Sequence, residues 1–338
     1  MSKAALIINL GSPKTTEIKD VKEYLGEFLM DDHVIDFPKI ARWLLVKGII
    51  LNVRPKKSAK AYQSIWWEEG SPLMVLSQRL LEKVRHHVEF DTYLAMRYSE
   101  PSILNTLRDI HQNQPDLTEL YVVPLYPHFA MSSYETVVDR VKELVSQHYP
   151  DLSLKFKKPW YDDDAYIEIL SRSISESLPE NHHLLFSYHG IPVRHLRKSD
   201  TTCSHCYKVE DCCSVPSPAH DTCYKHQTSK TTSLIAKKMG LKEGTYSTSY
   251  QSRLGRDPWI EPYTAERLVD FPGEGIEKLA IVCPAFVSDC LETLEEINIE
   301  GKEDFLSRGG ISFVSIPCLN DRDDWVELLS EWITKGVA

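Results

Sequence analysis

Residues 183–190 read His183-Leu184-Leu185-Phe186-Ser187-Tyr188-His189-Gly190, an apolar run that stops at a histidine and a glycine. A short apolar run bounded in this way predicts a buried strand, with Gly190 supplying the tight turn behind it. Seven more such runs are predicted at residues 4–10, 92–97, 119–125, 152–157, 245–250, 279–284 and 311–316. Between most of them lie segments with helical apolar spacing, at 76–88, 134–147, 165–177 and 231–239. Alternation of strands and helices implies parallel sheets. The strands divide four and four around residues 157–164, and 338 residues suit two domains of roughly 150 each. The expected fold is therefore α/β, with two similar Rossmann-like domains and a cleft between them. Each domain is expected to hold a four-stranded parallel sheet flanked by helices. The expected limits are 1–157 and 158–319, with 320–338 forming a C-terminal helix that packs back on the body.

In sheets of this kind ligands bind beyond the carboxyl ends of the strands. Those ends carry Asn9-Leu10-Gly11, Arg97-Tyr98, Tyr126-Pro127-His128, His189-Gly190 and, after the seventh strand, Ser288-Asp289. A histidine at such a point either caps a turn or projects its imidazole into the cleft. Ser288 or Asp289 can cap a helix that continues Cys290-Leu291-Glu292-Thr293-Leu294-Glu295-Glu296-Ile297. Acids at 289, 292 and 296 would share one face of it, while Leu291, Leu294 and Ile297 pack on another. A solvated acidic face competes with a functional one, and the position directly after a parallel strand favours the functional reading. An imidazole facing stacked carboxylates can accept protons and hold a divalent cation.

The composition, 42% hydrophobic and 26% charged, is that of an ordinary globular chain. A net charge of -10 argues against a nucleic-acid partner. The start of the chain runs straight into a strand with no separate apolar leader, so a cytoplasmic protein is expected. Residues 40–53 form the most apolar run, broken by Arg42, Lys47 and Gly48 and too short to span a bilayer. A buried core helix is the leading reading of that pattern, and a helix lying on a membrane surface is the alternative. Five of the eight cysteines fall between 203 and 223, which points to metal or iron-sulfur ligation rather than disulfides.

With these residues in hand, the chain resembles the ferrochelatases, which insert ferrous iron into a porphyrin in the last steps of haem synthesis. The resemblance covers nearly the whole chain. It runs through Asn9-Leu10-Gly11-Ser12-Pro13, Gly70-Ser71-Pro72-Leu73, Arg97-Tyr98, Val123-Pro124-Leu125-Tyr126-Pro127, Phe186-Ser187-Tyr188-His189-Gly190-Ile191-Pro192 and Ser288-Asp289-Cys290-Leu291-Glu292-Thr293-Leu294-Glu295-Glu296. The segment Gln251-Ser252-Arg253-Leu254-Gly255-Arg256-Asp257-Pro258-Trp259 looks most like the proteobacterial branch, which uses protoporphyrin IX. The resemblance implies that His189 is the active-site base or metal ligand and Glu292 its acidic partner across the porphyrin. Glu296 and Asp289 extend the acid row for the substrate iron. It places Leu10, Arg97, Tyr98, Tyr126 and Trp259 around the macrocycle, and Trp160 and Tyr161 more loosely so. It also implies a lip that docks on the inner membrane where residues 40–53 lie, which makes a peripheral contact as strong an expectation as a buried helix there, in a protein still expected to be cytoplasmic.

The segment 199–226 departs from most of the family. It holds Cys203, Cys206, Cys212, Cys213 and Cys223, with His205, His220 and His226 among them. Ligand chemistry alone leaves a [2Fe-2S] cluster and a structural zinc equal. The resemblance to bacterial members with a cluster in an internal loop favours [2Fe-2S]. Cys203, Cys206 and Cys223 are the expected ligands, with Cys212 or Cys213 as the fourth. Animal enzymes instead use a C-terminal cysteine-rich tail and a cysteine near the position of Met131, and this chain matches neither. Two other readings stay open at this point. One is a non-catalytic iron-sulfur or haem sensor on a chelatase scaffold. The other is a chelatase for cobalt or nickel, expected to be shorter and to lack the 251–259 segment.

Overall fold

The computed structural model describes residues 2–255 and 257–337. Arg256, part of the 251–259 segment quoted above, and the terminal residues Met1 and Ala338 lie outside the described residues. The chain forms two compact units. One comprises residues 1–126, 131–158 and 320–338, and the other 127–130 and 159–319.

The first unit holds β1 (Ser2–Asn9), β2 (Thr92–Met96), β3 (Leu117–Pro124) and β4 (Ser153–Phe156), all parallel, in the order β2-β1-β3-β4. The second holds β5 (His183–His189), β6 (Tyr246–Gln251), β7 (Lys278–Val282) and β8 (Ser312–Ser315), again parallel, in the order β6-β5-β7-β8. The two sheets thus repeat one topology. In both, the central strand is an unbroken apolar run because helices cover both faces, so no polar alternation survives. In the first unit Ala4, Leu6 and Ile8 pack with Ile103, Leu107, Val137 and Val141 of two flanking helices. The helix Asp323–Val337 closes that unit, where Gly336 lies so near the Tyr121 ring that a Cβ would stand 2.2 Å from it.

Two helices begin earlier than their apolar spacing predicts. The helix Pro72–His87 starts with proline at its first position, where the missing N–H costs nothing. The helix Tyr224–Met239 starts inside the segment read as insertion. Its buried face carries Gln227, Thr228, Thr231 and Thr232 between Tyr224 and Ile235-Ala236, so polar residues interrupt the apolar stripe. Three stretches, Leu44–Ile50, Met131–Glu135 and Glu292–Gly301, are π-helical.

Residues 40–53 do not form the expected core helix. Ile40, Trp43, Leu44, Ile49 and Val53 are between 53% and 78% exposed, while Arg42, Val46 and Leu51 turn inward. Arg42 Nη1 donates to the carbonyls of Ile35 (3.0 Å) and Phe37 (3.3 Å), tying the segment to its root by polar bonds.

Candidate active site

His189 closes β5 and pairs in register with Gln251 at the end of β6. The next residue has to be glycine. A Cβ on Gly190 would stand 2.8 Å from the Gln251 carbonyl oxygen and 3.2 Å from the Trp259 ring. Trp259, half-buried, is held there by a bridge to Pro192. The His189 imidazole meets the Phe286 ring edge-on at 6.1 Å. Gln251 is fully engaged. Its amide oxygen accepts from Ser187 Oγ (2.8 Å) and Cys283 Sγ (3.5 Å), and its Nε2 donates to the Glu292 carbonyl at 2.9 Å. One buried amide therefore joins the histidine strand to the start of the acidic helix.

That helix differs from the expected one. Asp289 precedes the helix without capping it, Leu291 is already helical, and Glu292 opens the π turns. The Asp289 carboxylate accepts from Thr293 Oγ1 (2.9 Å) and the Cys318 N–H (3.4 Å). The turns are π, with i→i+5 bonds, so the i, i+3, i+7 spacing of an α-helix does not describe the row. Wider turns bring residues four apart closer to one line, which relates Glu292 to Glu296 directly. Glu296 accepts from the Ser252 N–H (2.7 Å) and Ser252 Oγ (2.5 Å). Ser252 holds this position at a left-handed φ of +65°, uncommon for a serine. Burial lifts the Glu296 carboxyl to about 7, the Glu292 charge adds to the rise, and the Ser252 bonds oppose it. Gln251 and Ser252 are site residues that position alone did not single out, although both lie in the segment quoted for its family likeness.

In the first unit Leu10, Arg97 and Tyr126 stand at or just beyond the ends of β1, β2 and β3 and are partly exposed. The Arg97 and Tyr98 N–H groups donate to the Asn9 and Leu10 carbonyls. Gly11, at φ +104°, lies against the Tyr98 carbonyl, where any Cβ would collide. Tyr98 does not line a pocket as expected. It is 1% exposed, with Phe28 edge-on at 5.1 Å and the Arg97 guanidinium 4.5 Å over its ring. Trp160 is likewise core, at 2% exposure. A residue with no sequence signal, Asp31, sits at the centre of this region. Asp31 Oδ2 takes the Arg97 Nη2, the Tyr98 hydroxyl (2.8 Å) and Thr136 Oγ1 (2.6 Å). Asp31 Oδ1 takes the His33 N–H (2.8 Å) and Nδ1 (3.2 Å), and His33 Nε2 meets Asp139 at 3.0 Å.

Among the described residues Asp31, Asp32 and His33 are the one group of three whose ligand atoms lie within 4.8 Å of one another. Arg97 and Arg42 neutralise it from two sides, so it is an ion-pair node.

The cysteine-rich segment is organised by Asp200, whose carboxylate accepts from Thr202 N–H and Oγ1, His205 N–H and Cys206 N–H at 2.6–2.9 Å. All five cysteines are free thiols, with Cys206, Cys212 and Cys223 buried, Cys213 half-buried and Cys203 exposed. The Cys213 thiol donates to Cys223, which with the Cys206 thiol and the His226 N–H brings Cys223 down to about 6. His205 Nε2 and His220 Nε2 both point at the Cys212 carbonyl (2.6 and 3.0 Å), and His226 Nδ1 at the Cys213 carbonyl (2.9 Å). These nitrogens are donors to oxygen and so are not directed at a metal.

With this geometry described, comparison with known proteins decides the family. The ferrochelatase family model matches residues 2–337. The chain belongs to the ferrochelatase family. The ferrochelatase of Stutzerimonas stutzeri is 47% identical over 337 residues, covering 99% of this chain and 98% of that protein. The ferrochelatase of Ectopseudomonas mendocina is 48% identical over 329 residues, covering 96% of each. Among solved structures, SirB from Bacillus subtilis with Fe3+ aligns over 100% of this chain and 96% of its own, at TM-score 0.56 and 14% identity. The sirohydrochlorin chelatase SirB of Bacillus subtilis subspecies spizizenii in complex with cobalt aligns over 100% and 94%, at TM-score 0.53 and 12% identity. At those identities the likeness concerns the fold of two parallel four-stranded sheets, which this ferrochelatase-family chain shares.

Proposed function

We propose that the protein inserts Fe2+ into protoporphyrin IX, forming protohaem and releasing two protons, with His189 and Glu292 at the reacting centre. The observation that carries this reading is the buried Gln251 amide, which ties the strand of His189 to the first turn of the acid row. Imidazole and carboxylates are suitable ligands for ferrous iron. Glu292 and Asp289 supply the anionic oxygens, and Glu296, with its carboxyl near neutrality, is matched to taking up pyrrole protons at the working pH. A sensor on the same scaffold would need no acid of that kind. Family membership over the whole length, with relatives named as ferrochelatases, also favours the enzyme. Purified protein given Fe2+ and protoporphyrin IX without oxygen should make haem. The variant His189→Ala should lose turnover by at least about 10²-fold while its circular dichroism stays unchanged. Porphyrin binding without metallation by the wild type would favour the sensor.

Leu10, Arg97, Tyr126 and Trp259 are the residues we assign to the porphyrin. The exposed apolar surface of Ile40, Trp43, Leu44, Ile49 and Val53, flanked by Arg54, Lys56 and Lys57, suits an anionic membrane surface. Among the described residues no helix is long and apolar enough to cross a membrane. Co-sedimentation with anionic vesicles should drop when Trp43 and Ile49 are both replaced by serine.

For the cysteine-rich segment we favour a [2Fe-2S] cluster. Cys206, Cys213 and Cys223 are the ligands best supported by their mutual contacts, with Cys212 or Cys203 completing the set. A tetrahedral zinc site would draw four ligand atoms within roughly 4 Å of one another. Cys223 contacts both Cys213 and Cys206, so the thiols converge, and the family resemblance is what favours [2Fe-2S] over zinc. A cluster there would supply a redox-active crosslink. Thiolate-iron absorption between roughly 400 and 600 nm in protein purified without oxygen would support it, and a colourless, zinc-containing protein would refute it.

A further inference from the structure

We infer that Asp31 is a positioning residue for porphyrin recognition, acting through Arg97 to fix the one guanidinium nitrogen that is left for a substrate carboxylate. The inference rests on the assignment of Arg97 to the porphyrin. It adds a residue that no motif contained, from hydrogen bonds all made within one unit.

A guanidinium is a rigid planar fork, so fixing two of its three nitrogens fixes the third. In Arg97, Nε donates to Thr136 Oγ1 at 2.8 Å and to the Thr136 carbonyl at 3.3 Å, and Nη2 donates to Asp31 Oδ2. Nη1 has no partner among the described residues. The support of this fork is itself fixed. The Thr136 hydroxyl, which accepts from Nε, gives its own proton to Asp31 Oδ2 at 2.6 Å, closing a ring of three groups. The Tyr98 hydroxyl reaches the same oxygen, and the His33 backbone and ring occupy the other, so the Asp31 carboxylate cannot rotate. Asp31 is 9% exposed and out of competition from water. Such a fork offers an acid one aimed, charged donor, which is what recognition of a carboxylate on a flexible propionate arm needs.

The same carboxylate is also a counter-ion, and the two roles predict opposite signs. If Asp31 merely neutralised Arg97, removing its charge would strengthen substrate binding. If it positions Arg97, removing it weakens binding, and only for porphyrins that carry free carboxylates. The test is steady-state kinetics of the full-length enzyme with Fe2+ and either protoporphyrin IX or its dimethyl ester. Asp31→Asn should raise KM for the diacid about tenfold, the change expected from losing one charge-assisted orienting contact, with kcat within about twofold. KM for the diester should stay within about twofold. Thr136→Val, which changes no charge and disturbs the fold less, should act in the same direction by about threefold, and it carries the test if Asp31→Asn does not fold.

A lowered KM for the diacid would overturn positioning in favour of the counter-ion. Equal losses on both porphyrins, or a fall in kcat at constant KM, would mean a purely structural role. Arg97→Gln separates this inference from the one beneath it. If Arg97→Gln leaves the preference for diacid over diester intact, the porphyrin assignment of Arg97 fails and the positioning role falls with it. If Arg97→Gln erases the preference while Asp31→Asn and Thr136→Val do not change it, positioning alone fails.

Discussion

The molecule holds two buried groups of carboxylates, and they are opposites. At Asp31, burial by itself would lift the carboxyl, but the His33 hydrogen bonds, the Arg97 charge and the Thr136 hydroxyl hold it well below the usual carboxylate range. At Glu296, burial is joined by the Glu292 charge, hydrogen bonds from Ser252 and Gln251 oppose it, and the carboxyl rises to about 7. Both groups lie close to strand ends, and both contain acids spaced a few residues apart. The difference is the presence of cations. Where arginine and histidine meet the acid, it becomes a fixed anion that orients its neighbours. Where only neutral donors meet it, it remains able to exchange a proton at neutral pH.

The largest effects should come from the second group. Glu292→Gln is expected to lower kcat by about 10³-fold and Glu296→Gln by about 10²-fold, with porphyrin binding retained in a fluorescence titration. Equal losses for both would dissolve the distinction drawn between an acid at the reacting centre and one that relays protons. Glu296→Gln should also stabilise the fold at alkaline pH. The folded Glu296 keeps its proton up to about 7, whereas the unfolded one loses it near its ordinary 4.5. Stability therefore falls as pH rises between these values, and the variant should escape a loss of up to about 3 kcal/mol. Thermal melts of both proteins at pH 5 and pH 8 would show this as a gap that opens only at the higher pH.

The first group should respond in the opposite direction. Asp31→Ala leaves Arg97 and His33 without their shared anion and is expected to cost about 3 kcal/mol in urea unfolding at pH 7. A depressed carboxyl gives stability that is complete above its unfolded value and is lost as pH falls below it. The wild type should thus lose this share only below about pH 4, and the variant should have none to lose there. A variant as stable as wild type at pH 7 would remove the contrast between the two groups.

The two groups were also unequally legible in the sequence. All eight strands could be read because central parallel strands are continuous apolar runs bounded by turn residues. His189 and the acid row were singled out because His189 closes β5 and the row follows the connection out of β7. Asp31 could not, since its partners Arg97 and Thr136 are distant in sequence and an Asp-Asp-His run after a helix resembles any solvated turn. Tyr98 was misplaced because a motif that pairs it with Arg97 says nothing about which of them is exposed: both reach Asp31, and only the tyrosine is enclosed. The π-turns had no signal either. Their i→i+5 bonding is imposed by packing and by the Gln251 and Ser252 bonds, not by the propensity of Glu292–Gly301. In the cysteine-rich segment spacing showed that thiols and imidazoles are gathered, while burial, set by the fold around Asp200, separated Cys203 from the others.

The smallest expected effect concerns His33, and it tests whether the first group is held by charge or by shape. The Asp31 hydrogen bond, with burial opposing and Asp139 assisting, raises the His33 imidazole to about 9, so it is a cation at neutral pH. Asp31, Asp32 and Asp139 face it at 3.0–3.2 Å, Glu135 adds a more distant negative charge, and its side chain is 23% exposed. A raised value gives stability that is complete below the unfolded 6.5 and lost as pH rises through about 9. With solvent screening at a partly exposed site, that share is about 1 kcal/mol. The wild type should lose it between pH 7 and pH 10, and His33→Gln, which keeps one donor but carries no charge, should show a flat profile over the same range. Parallel curves for the two proteins would mean that hydrogen-bonding shape, not the imidazolium charge, holds Asp31 in place.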